Sequence, residues 1–326
     1  MPSFLTPPES VRVEQLKAPL TGSRPHIRAV IDTDTNNEID DQFALVHALL
    51  SPEISIEAVY AAPFVNAHAA TPEEGMTQSY DEILNVYKHL GTASLPPIFK
   101  GSRQTLTSYN RPEKSDAAEH LIETAFSSDA PLYVLAIAGV TNVANALLLE
   151  PRLVERTVLV WLGGHAHRWH HTAEFNLQGD VLGSSLVLNC GVPLVQLPCQ
   201  GVVDKLHTTL PEMAHFVKGR GAIGNYLFDL FAKHVQANEQ PAYARSKELW
   251  DTAVIAYMLE PNWFETDLRP TPLLSRDEMS NRLTWSFDRR RHLMRYVYDV
   301  HRDPILRDFF EKLEAHAAVE RGGNRA

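Results

Sequence analysis

The sequence has few cysteines, little positive charge and no long apolar run. Two cysteines, Cys190 and Cys199, in 326 residues are too few for a disulfide framework, so we expect free thiols in or near the core. Thirty Lys and Arg against forty Asp and Glu give a formal charge of −10, which opposes nucleic-acid binding. No stretch reaches the roughly 20 apolar residues that span a bilayer, and the polar N-terminus lacks the apolar core of a secretory signal. We therefore expect a cytoplasmic protein that binds neither nucleic acid nor a membrane.

From about Pro25 onward, short apolar runs alternate with longer amphipathic segments. The apolar runs, rich in β-branched residues, predict strands at Ile27 to Ile31, Ile54 to Ala61, Leu132 to Ile137, Thr157 to Leu162 and Pro193 to Leu197. The other segments predict helices at Asp40 to Leu50, Glu73 to Leu90, Ala117 to Phe126, Val143 to Leu149 and Val181 to Leu188. Because the two kinds alternate, the sequence predicts an α/β fold with an open, mostly parallel sheet and helices on both faces.

The later part of the chain continues without a visible boundary. It predicts mainly helix from His207 to Leu259, a late strand at Leu283 to Asp288 and a closing helix at Pro304 to Ala318. No Gly/Ser linker and no change of composition divides the chain. We therefore expect residues 25–326 to form a single domain, preceded by an N-terminal extension of residues 1–24.

An acidic loop follows the first predicted strand. Asp32, Asp34, Glu38, Asp40 and Asp41 lie close together in sequence, and carboxylates at such spacing repel unless a cation neutralises them. In an open α/β sheet the loop after a strand faces the ligand crevice. A helix that begins at Asp40 accounts for the last two acids through its dipole, but Asp32 and Asp34 stay unexplained. The loop therefore predicts a site for a hard cation such as Ca²⁺ or Mg²⁺.

The Asp-Thr-Asp of this loop also fits a second enzyme class. Phosphatases of the haloacid-dehalogenase-like class begin with D-x-D after their first strand, and the first Asp is their nucleophile. Here that residue would be Asp32, and the reaction would need Mg²⁺. Asn36 stands where that class has Thr or Val, so the phosphatase is the weaker alternative.

Five segments in order resemble motifs of the inosine-uridine preferring nucleoside hydrolase family. The acidic loop looks like a lengthened version of the family's D-x-D-x-x-x-D-D. The four later segments are Ala136 to Ala144 (similar to G-P-L-T-N-x-A), Leu162 to Gly164 (similar to M-G-G), Ala173 to Asn176 (A-E-F-N) and Leu249 to Ala253 (similar to a W-D pair that opens a helix). The resemblance implies a Rossmann-like core and hydrolysis of the N-glycosidic bond of ribonucleosides to ribose and free base.

The resemblance also implies a Ca²⁺ cofactor. Its ligands would be Asp34, Asp41, Asp251 and the backbone carbonyl of Thr141, with the ribose 2′- and 3′-hydroxyls completing the set. Three loops from different strand ends must converge on one ion, which a crevice at the carboxyl edge of the sheet permits.

Sugar contacts follow from the same resemblance. Asp40, Glu174 and Asn176 would hydrogen-bond the ribose, because hydroxyls both donate and accept. The family's G-N-V after its second strand is replaced here, and Asn66 would substitute for its sugar-binding Asn if the loop shifts.

The predicted chemistry depends on charge. Breaking an N-glycosidic bond creates a sugar cation and an anionic base, so an enzyme must stabilise the first and relieve the second. Asp34 is the candidate general base for the attacking water. Trp250 precedes the metal-binding Asp as in the purine-preferring branch, where the indole stacks on the base, and Tyr109 is a candidate second aromatic wall.

Two further departures from the family, beside the replaced G-N-V, leave an alternative open. Thr35 to Ile39 lengthens the acidic loop, and the His-rich loop His165 to His171 replaces a Gly-Asn that reaches the sugar. We expect that His-rich loop to be a mobile lid, with a zinc site as the weaker interpretation. With fewer sugar contacts, the chain could instead be a catalytically weak ribose- or nucleoside-binding homologue. The family is usually oligomeric, which predicts a homo-oligomer.

Overall fold

The computed structural model of the chain describes residues 9–17, 27–237 and 245–323. Its strands are β1 (Ile27–Thr33), β2 (Ile54–Ala61), β3 (Ile98–Lys100), β4 (Leu132–Ala136), β5 (Thr157–Leu162), β6 (Leu194–Leu197), β7 (His207–Thr209), β8 (Ser246–Glu248), β9 (Phe264–Pro270), β10 (Leu273–Arg276), β11 (Leu283–Ser286) and β12 (Leu293–Val300). Its α-helices are α1 (Glu9–Gln15), α2 (Asp40–Leu49), α3 (Pro72–Leu90), α4 (Asp116–Phe126), α5 (Thr141–Leu149), α6 (Phe175–Gly179), α7 (Val181–Asn189), α8 (Leu210–Phe216), α9 (Gly221–Ala237), α10 (Thr252–Leu259) and α11 (Arg302–Gly323).

Eight strands form one sheet in the order β3-β2-β1-β4-β5-β6-β12-β9. Its neighbouring strands are parallel up to β12, and the edge strand β9 runs antiparallel to β12. Strands β1, β2 and β3 follow one another towards one edge of the sheet, and strands β4, β5 and β6 follow one another towards the other edge. Such a switch point leaves a crevice outside the carboxyl ends of β1 and β4, where open α/β sheets bind ligands.

Helices cover both faces of the sheet. Ala29 and Ile31 of β1 belong to one buried cluster with residues of α2, α9 and α10, whereas Val30 belongs to a second cluster with residues of α4, α5 and α7. The central strands β4 and β5 are buried at every position. A strand buried on both faces needs no polar side, which is why these segments are continuous apolar runs.

The predicted α/β fold, with its mostly parallel sheet, is confirmed. The five strands and five helices predicted before residue 200 are present, with ends shifted by one or two residues. The segment predicted as mainly helical, His207 to Leu259, contains α8, α9 and α10, together with the short strands β7 and β8. Four further strands of the structure were not predicted, namely β3, β9, β10 and β12. The polar edge strand β9 (FETDLRP) has no apolar run, and β3 and β10 have only three and four residues.

The N-terminal extension is described only from Glu9 to Lys17, and this part packs on the body. The guanidinium of Arg12 is buried and donates to the carbonyl of Leu293 at 3.0 Å, while Arg295 donates to the carbonyl of Leu16. The division into an extension and a single domain stays a prediction. Both cysteines are buried free thiols, as expected. Within the described ranges, no helix has the length and apolar character needed to cross a bilayer.

Candidate active site

A cavity of about 210 Å³ lies at the switch point of the sheet. Six of its lining side chains are acidic, and within the described part of the chain no Lys or Arg lines it. The lining residues are Asp34, Asn37, Glu38, Asp40, Asp41, Ile137, Leu162, His165, Ala173, Glu174, Phe175, Asn176, Cys199, Gln200, Trp250 and Asp251. They follow β1, β4, β5 and β6 or begin α2, α6 and α10, so the cavity is assembled from segments spread over more than two hundred residues.

The acidic side chains converge from the two ends of this span. Asp40 and Asp41 open α2, and Asp251 directly precedes α10, which packs against α2. One carboxylate oxygen from each of these three residues lies within 4.8 Å of the others. Asp34 lines the same cavity from the loop after β1. In that loop Asn36 adopts a φ of 93°, a left-handed conformation that Asn tolerates better than most residues.

Burial and mutual repulsion act on these carboxyls together. The pKa of Asp34 is raised well above its usual value, first by burial and then by Asp41 and Asp40. Burial followed by Asp40 raises the pKa of Asp41 in the same way. For Asp251, burial comes first and Asp40, Asp41 and Asp34 follow. Such a cluster favours whatever brings positive charge into it.

The donor set fits a hard divalent cation. Asp34 Oδ2 is buried and has no hydrogen-bond partner among the described residues. Carboxylate oxygens converging within a few ångströms are the ligands that Ca²⁺ prefers. A buried anion without a partner is costly, and a cation would remove that cost. The residues present therefore suit a hard divalent cation.

One basic side chain reaches the cluster from behind. Lys247 on β8 is about nine-tenths buried, and its Nζ lies 2.8 Å from Oε2 of Glu38. The same Nζ donates to the carbonyl of Glu248 at 2.8 Å. Lys247 lowers the pKa of Asp40, partly opposing the effect of burial there. Lys247 is thus a counter-charge to the acidic cluster that lies outside the cavity lining, and it was not predicted.

Glu174 and Asn176 lie where the sequence predicted sugar contacts. Both line the cavity and both are held by the backbone. Glu174 caps α6: its Oε1 accepts from the Asn176 amide, and its Oε2 accepts from the amides of Leu177 and Gly164, all at 2.8–2.9 Å. Asn176 Nδ2 donates to the carbonyl of Leu162 at 3.0 Å. These bonds fix the two side chains in orientation before any ligand arrives.

Trp250, His165 and Phe175 are the aromatic residues of the lining. Trp250 is half-buried in the turn before α10 and packs partly on the core cluster around α2 and α10. His165 is nearly buried, and burial, assisted by His171 and His170, lowers its pKa to about 4. An imidazole with that pKa is neutral near pH 7, so His165 offers a lone pair or an N–H rather than a positive charge.

Thr141, the candidate backbone ligand, is not among the residues that line the cavity. It is the first residue of α5, and its hydroxyl donates to Asp180 Oδ2 at 2.9 Å. The role of its backbone carbonyl as a metal ligand stays a prediction. Ile137, directly after β4, is the residue of this turn that lines the cavity.

Asn66 and Tyr109 are also not among the residues that line the cavity. Asn66 Nδ2 donates to Asn37 Oδ1 at 3.1 Å, so it contacts a lining residue. Tyr109 packs on the cluster around α4 and α5, and its hydroxyl donates to the carbonyl of Leu182 at 3.3 Å. The roles of Asn66 and Tyr109 in substrate binding stay predictions.

Asp32 does not line the cavity. It is fully buried, and its Oδ1 accepts a hydrogen bond from Asn142 Nδ2 at 2.8 Å. Burial raises the pKa of Asp32 to about 7. A nucleophile must reach its substrate, and this carboxyl has no access to one. The Mg²⁺-dependent phosphatase alternative therefore has no support from the geometry.

The His-rich loop is anchored at two points. His165 accepts from the Gln200 amide, and His167 bonds Gln196 Oε1 at 3.1 Å and stacks on Tyr296. Only the outer part, around Trp169 and His170, is exposed. Among the described residues, one group of three or more His, Cys, Asp or Glu side chains is placed to hold a metal ion, and it is the acidic cluster. No histidine of the His-rich loop belongs to it, so the zinc interpretation is not supported.

Other lining residues were missed for identifiable reasons. Ile137, Cys199 and Gln200 follow the ends of β4 and β6. Because ligands bind outside the carboxyl ends of the strands, the residues after every predicted strand were candidates for the lining. Lys247, which contacts the acidic cluster from outside the lining, was not predicted, because it lies on β8 in a segment predicted as mainly helical.

Comparison with known proteins gives consistent matches. A family profile described as inosine-uridine preferring nucleoside hydrolase matches residues 29–306. A pyrimidine-specific ribonucleoside hydrolase of Enterobacter sp. (strain 638) is 26% identical over 269 residues, covering 73% of this chain and 80% of that protein. A purine-preferring ribonucleoside hydrolase from Gardnerella vaginalis superposes with a TM-score of 0.71 at 18% identity, covering 90% of this chain and 99% of its own. A plant nucleoside hydrolase superposes with a TM-score of 0.71 at 17% sequence identity, covering 90% of this chain and 100% of its own.

Proposed function

The chain belongs to the inosine-uridine preferring nucleoside hydrolase family and is a hydrolase of N-glycosidic bonds in nucleosides, and from that premise we propose that it is a Ca²⁺-dependent enzyme for purine ribonucleosides. The observation that carries this proposal is one cavity lined jointly by the Asp40, Asp41 and Asp251 cluster, by Asp34 and by Trp250. The cluster suits the metal, and the indole suits a flat leaving group.

Asp34, Asp41 and Asp251 would hold the metal. Thr141 stays the candidate for a backbone carbonyl ligand, and Ile137, which lines the cavity from the same turn, is a second candidate. Calcium bound there would supply a Lewis acid that binds the sugar diol and acidifies water. Asp40, Glu174 and Asn176 remain as candidate partners of the other sugar hydroxyls, since all three line the same space.

The chain's own groups account for the remaining chemistry. Asp34 Oδ2, which has no partner among the described residues, is the atom proposed to take the proton of the attacking water. The surrounding carboxylates stabilise positive charge that develops on the ribose, because they are fixed before the reaction and shielded from water. Glu174 is held by three backbone amides, so its orientation needs no adjustment as that charge appears.

Trp250 supports the purine preference. Its ring lines the cavity, and an aromatic face attracts a base that gains positive charge, an effect of about 0.5–2 kcal/mol. His165 is a second candidate for leaving-group assistance, since it lines the same cavity. Of the relatives above, one is described as pyrimidine-specific and another as purine-preferring, so base choice is a matter for this chain's own residues. The homo-oligomer and the cytoplasmic location stay predictions.

Ribose release tests the proposal directly. The purified chain is assayed with inosine, adenosine, guanosine, uridine and cytidine, with calcium and with a chelator. We expect calcium-dependent release, fastest with the purines, that Asp34→Ala abolishes. Asp32→Asn is the matched control, because Asp32 lies two residues away but outside the cavity.

Three results would contradict parts of this proposal. Faster release from uridine and cytidine would remove the purine preference. Equal release with the chelator would remove the metal dependence. Tight ribose binding without release from any nucleoside would favour the catalytically weak homologue instead.

A further inference from the structure

A second cavity, of about 390 Å³, lies apart from the catalytic one. It is formed by the His-rich loop, the end of β9 and the segment between β11 and β12, and it shares no lining residue with the catalytic cavity. We call it the arginine pocket. Its lining residues are His167, Arg168, Arg269, Pro270, Phe287, Asp288 and Arg289. Its volume is within the range of small-molecule sites.

The arginine pocket is positively charged in a chain whose net charge is −10. Three arginines line it against one acid, Asp288, whose carboxylate is occupied by Arg290 at 2.9 Å. The guanidinium of Arg289 forms no ion pair or hydrogen bond with any other side chain that the structure describes. Guanidinium groups bind phosphate by a planar fork of donors, so an unengaged arginine here favours a phosphate-bearing ligand.

The other two arginines are positioned by the fold. Arg168 donates from Nη2 to the carbonyl of Gly201 at 2.6 Å, which leaves its remaining N–H groups available. Arg269 lies over the ring of Tyr296 at 4.2 Å and pairs with Asp267 at 2.7 Å. Both guanidinium groups are therefore held at the pocket wall by contacts outside it, and a ligand meets a largely preorganised charge.

One wall of the arginine pocket is aromatic. Phe287 is 58% exposed, and its ring centre lies 5.1 Å from that of His167. His167 in turn stacks on Tyr296 at 4.0 Å. Burial lowers the pKa of His167 to about 4, so this imidazole is an uncharged ring near pH 7. An exposed phenyl ring beside a fixed, neutral ring provides a surface on which a planar base can stack.

We propose that the arginine pocket binds a nucleoside 5′-monophosphate, with the phosphate on Arg168, Arg269 and Arg289 and the base against Phe287. The two cavities differ in charge, because six acids in the catalytic cavity repel a phosphate whereas three arginines here attract it. The pocket is a binding site separate from hydrolysis, and it does not depend on the proposed calcium or purine preference.

Calorimetric titration tests this site. Adenosine 5′-monophosphate, adenosine and inorganic phosphate are titrated into the full chain carrying Asp251→Asn, which prevents turnover of the ligand. We expect the monophosphate to bind at least about tenfold more tightly than inorganic phosphate, while adenosine bound in the catalytic cavity should not respond to Arg289→Ala. Arg289→Ala should weaken binding of the monophosphate at least about tenfold, and Phe287→Ala by about 5-fold or more. Arg111→Ala, which removes the same charge from an exposed residue outside both cavities, should leave binding unchanged.

Three results would overturn the proposal. Inorganic phosphate that binds as tightly as the monophosphate would show that the base is not recognised. An affinity in Arg289→Ala equal to that in Arg111→Ala would place binding elsewhere. A concentration-dependent dimer that Phe287→Ala abolishes, without monophosphate binding, would assign this face to a second copy of the chain. Failure of ribose release would leave the titration unchanged, so the two proposals fail separately.

Discussion

Lys247 Nζ lies 2.8 Å from Glu38 Oε2, and this ion pair joins the lengthened acidic loop after β1 to the short strand β8. Lys247 is about nine-tenths buried and Glu38 is half exposed. The ammonium group of Lys247 therefore lies near the acidic cluster, where it lowers the pKa of Asp40. The loop insertion is therefore matched by a basic residue more than two hundred positions away.

Lys247→Met should lower stability in the absence of calcium. Removing one partner of a buried pair costs about 3–5 kcal/mol, and the half-exposed Glu38 reduces this to about 1–3 kcal/mol. The increase in Tm on adding calcium should be larger than in the unchanged protein, because the ion then replaces a missing charge. Thermal unfolding with and without calcium measures both effects. Lys205→Met, which breaks a surface ion pair with Asp299, is the control. It should lower the free energy of unfolding by no more than about 1 kcal/mol and leave the increase in Tm on adding calcium unchanged.

Calcium should stabilise the fold through Asp41 and Asp251. A ligand at 100 times its Kd adds about 2.7 kcal/mol to the free energy of unfolding. Asp251→Asn and Asp41→Asn should each lose most of this gain, because each removes a charged oxygen donor from the cluster. Asp229→Asn, an exposed acid on α9, should keep all of it. An equal gain in Asp251→Asn would show that calcium binds elsewhere.

Trp250→Ala should reduce purine turnover more than it weakens ribose binding. Loss of the indole removes a stacking contribution of about 0.5–2 kcal/mol, which corresponds to roughly 2- to 30-fold in kcat for inosine. Trp250→Phe keeps an aromatic face and should restore part of the loss. Steady-state kinetics with inosine, together with the inhibition constant of free ribose, separates the two effects. Equal losses in kcat and ribose affinity would mean that the indole only shapes the cavity.

Acid should destabilise the protein through His167. Burial lowers its pKa in the folded state to about 4, whereas an unfolded histidine titrates near 6.5. The unfolded state therefore binds the proton first, so the stability that depends on neutral His167 is present above about pH 6.5 and is lost as pH falls towards 4. Urea unfolding at pH 7.5 and pH 5 should show a smaller decrease for His167→Gln than for the unchanged protein. The exposed His68→Gln should behave like the unchanged protein in this comparison.

The sequence was sufficient for several parts of this protein. Alternating apolar and amphipathic segments predicted the parallel sheet, since such strands are buried on both faces and carry no polar side. The position of Asp34, Asp40 and Asp41 after the first strand predicted an acidic site, because strand ends meet at one edge of the sheet. The W-D pair predicted that Asp251 joins them, and it does so within 4.8 Å of Asp40 and Asp41.

Tertiary structure alone decided which side chains face the cavity. Asn66 and Tyr109 lie in the expected segments, yet their side chains bond to Asn37 and to the carbonyl of Leu182, and neither lines the cavity. It likewise brought Lys247 to Glu38 and gathered the arginine pocket from three separate segments. The physical reason is that local sequence determines periodicity and chain direction, whereas the rotation of a side chain and its partners depend on the packing of residues far away in the chain.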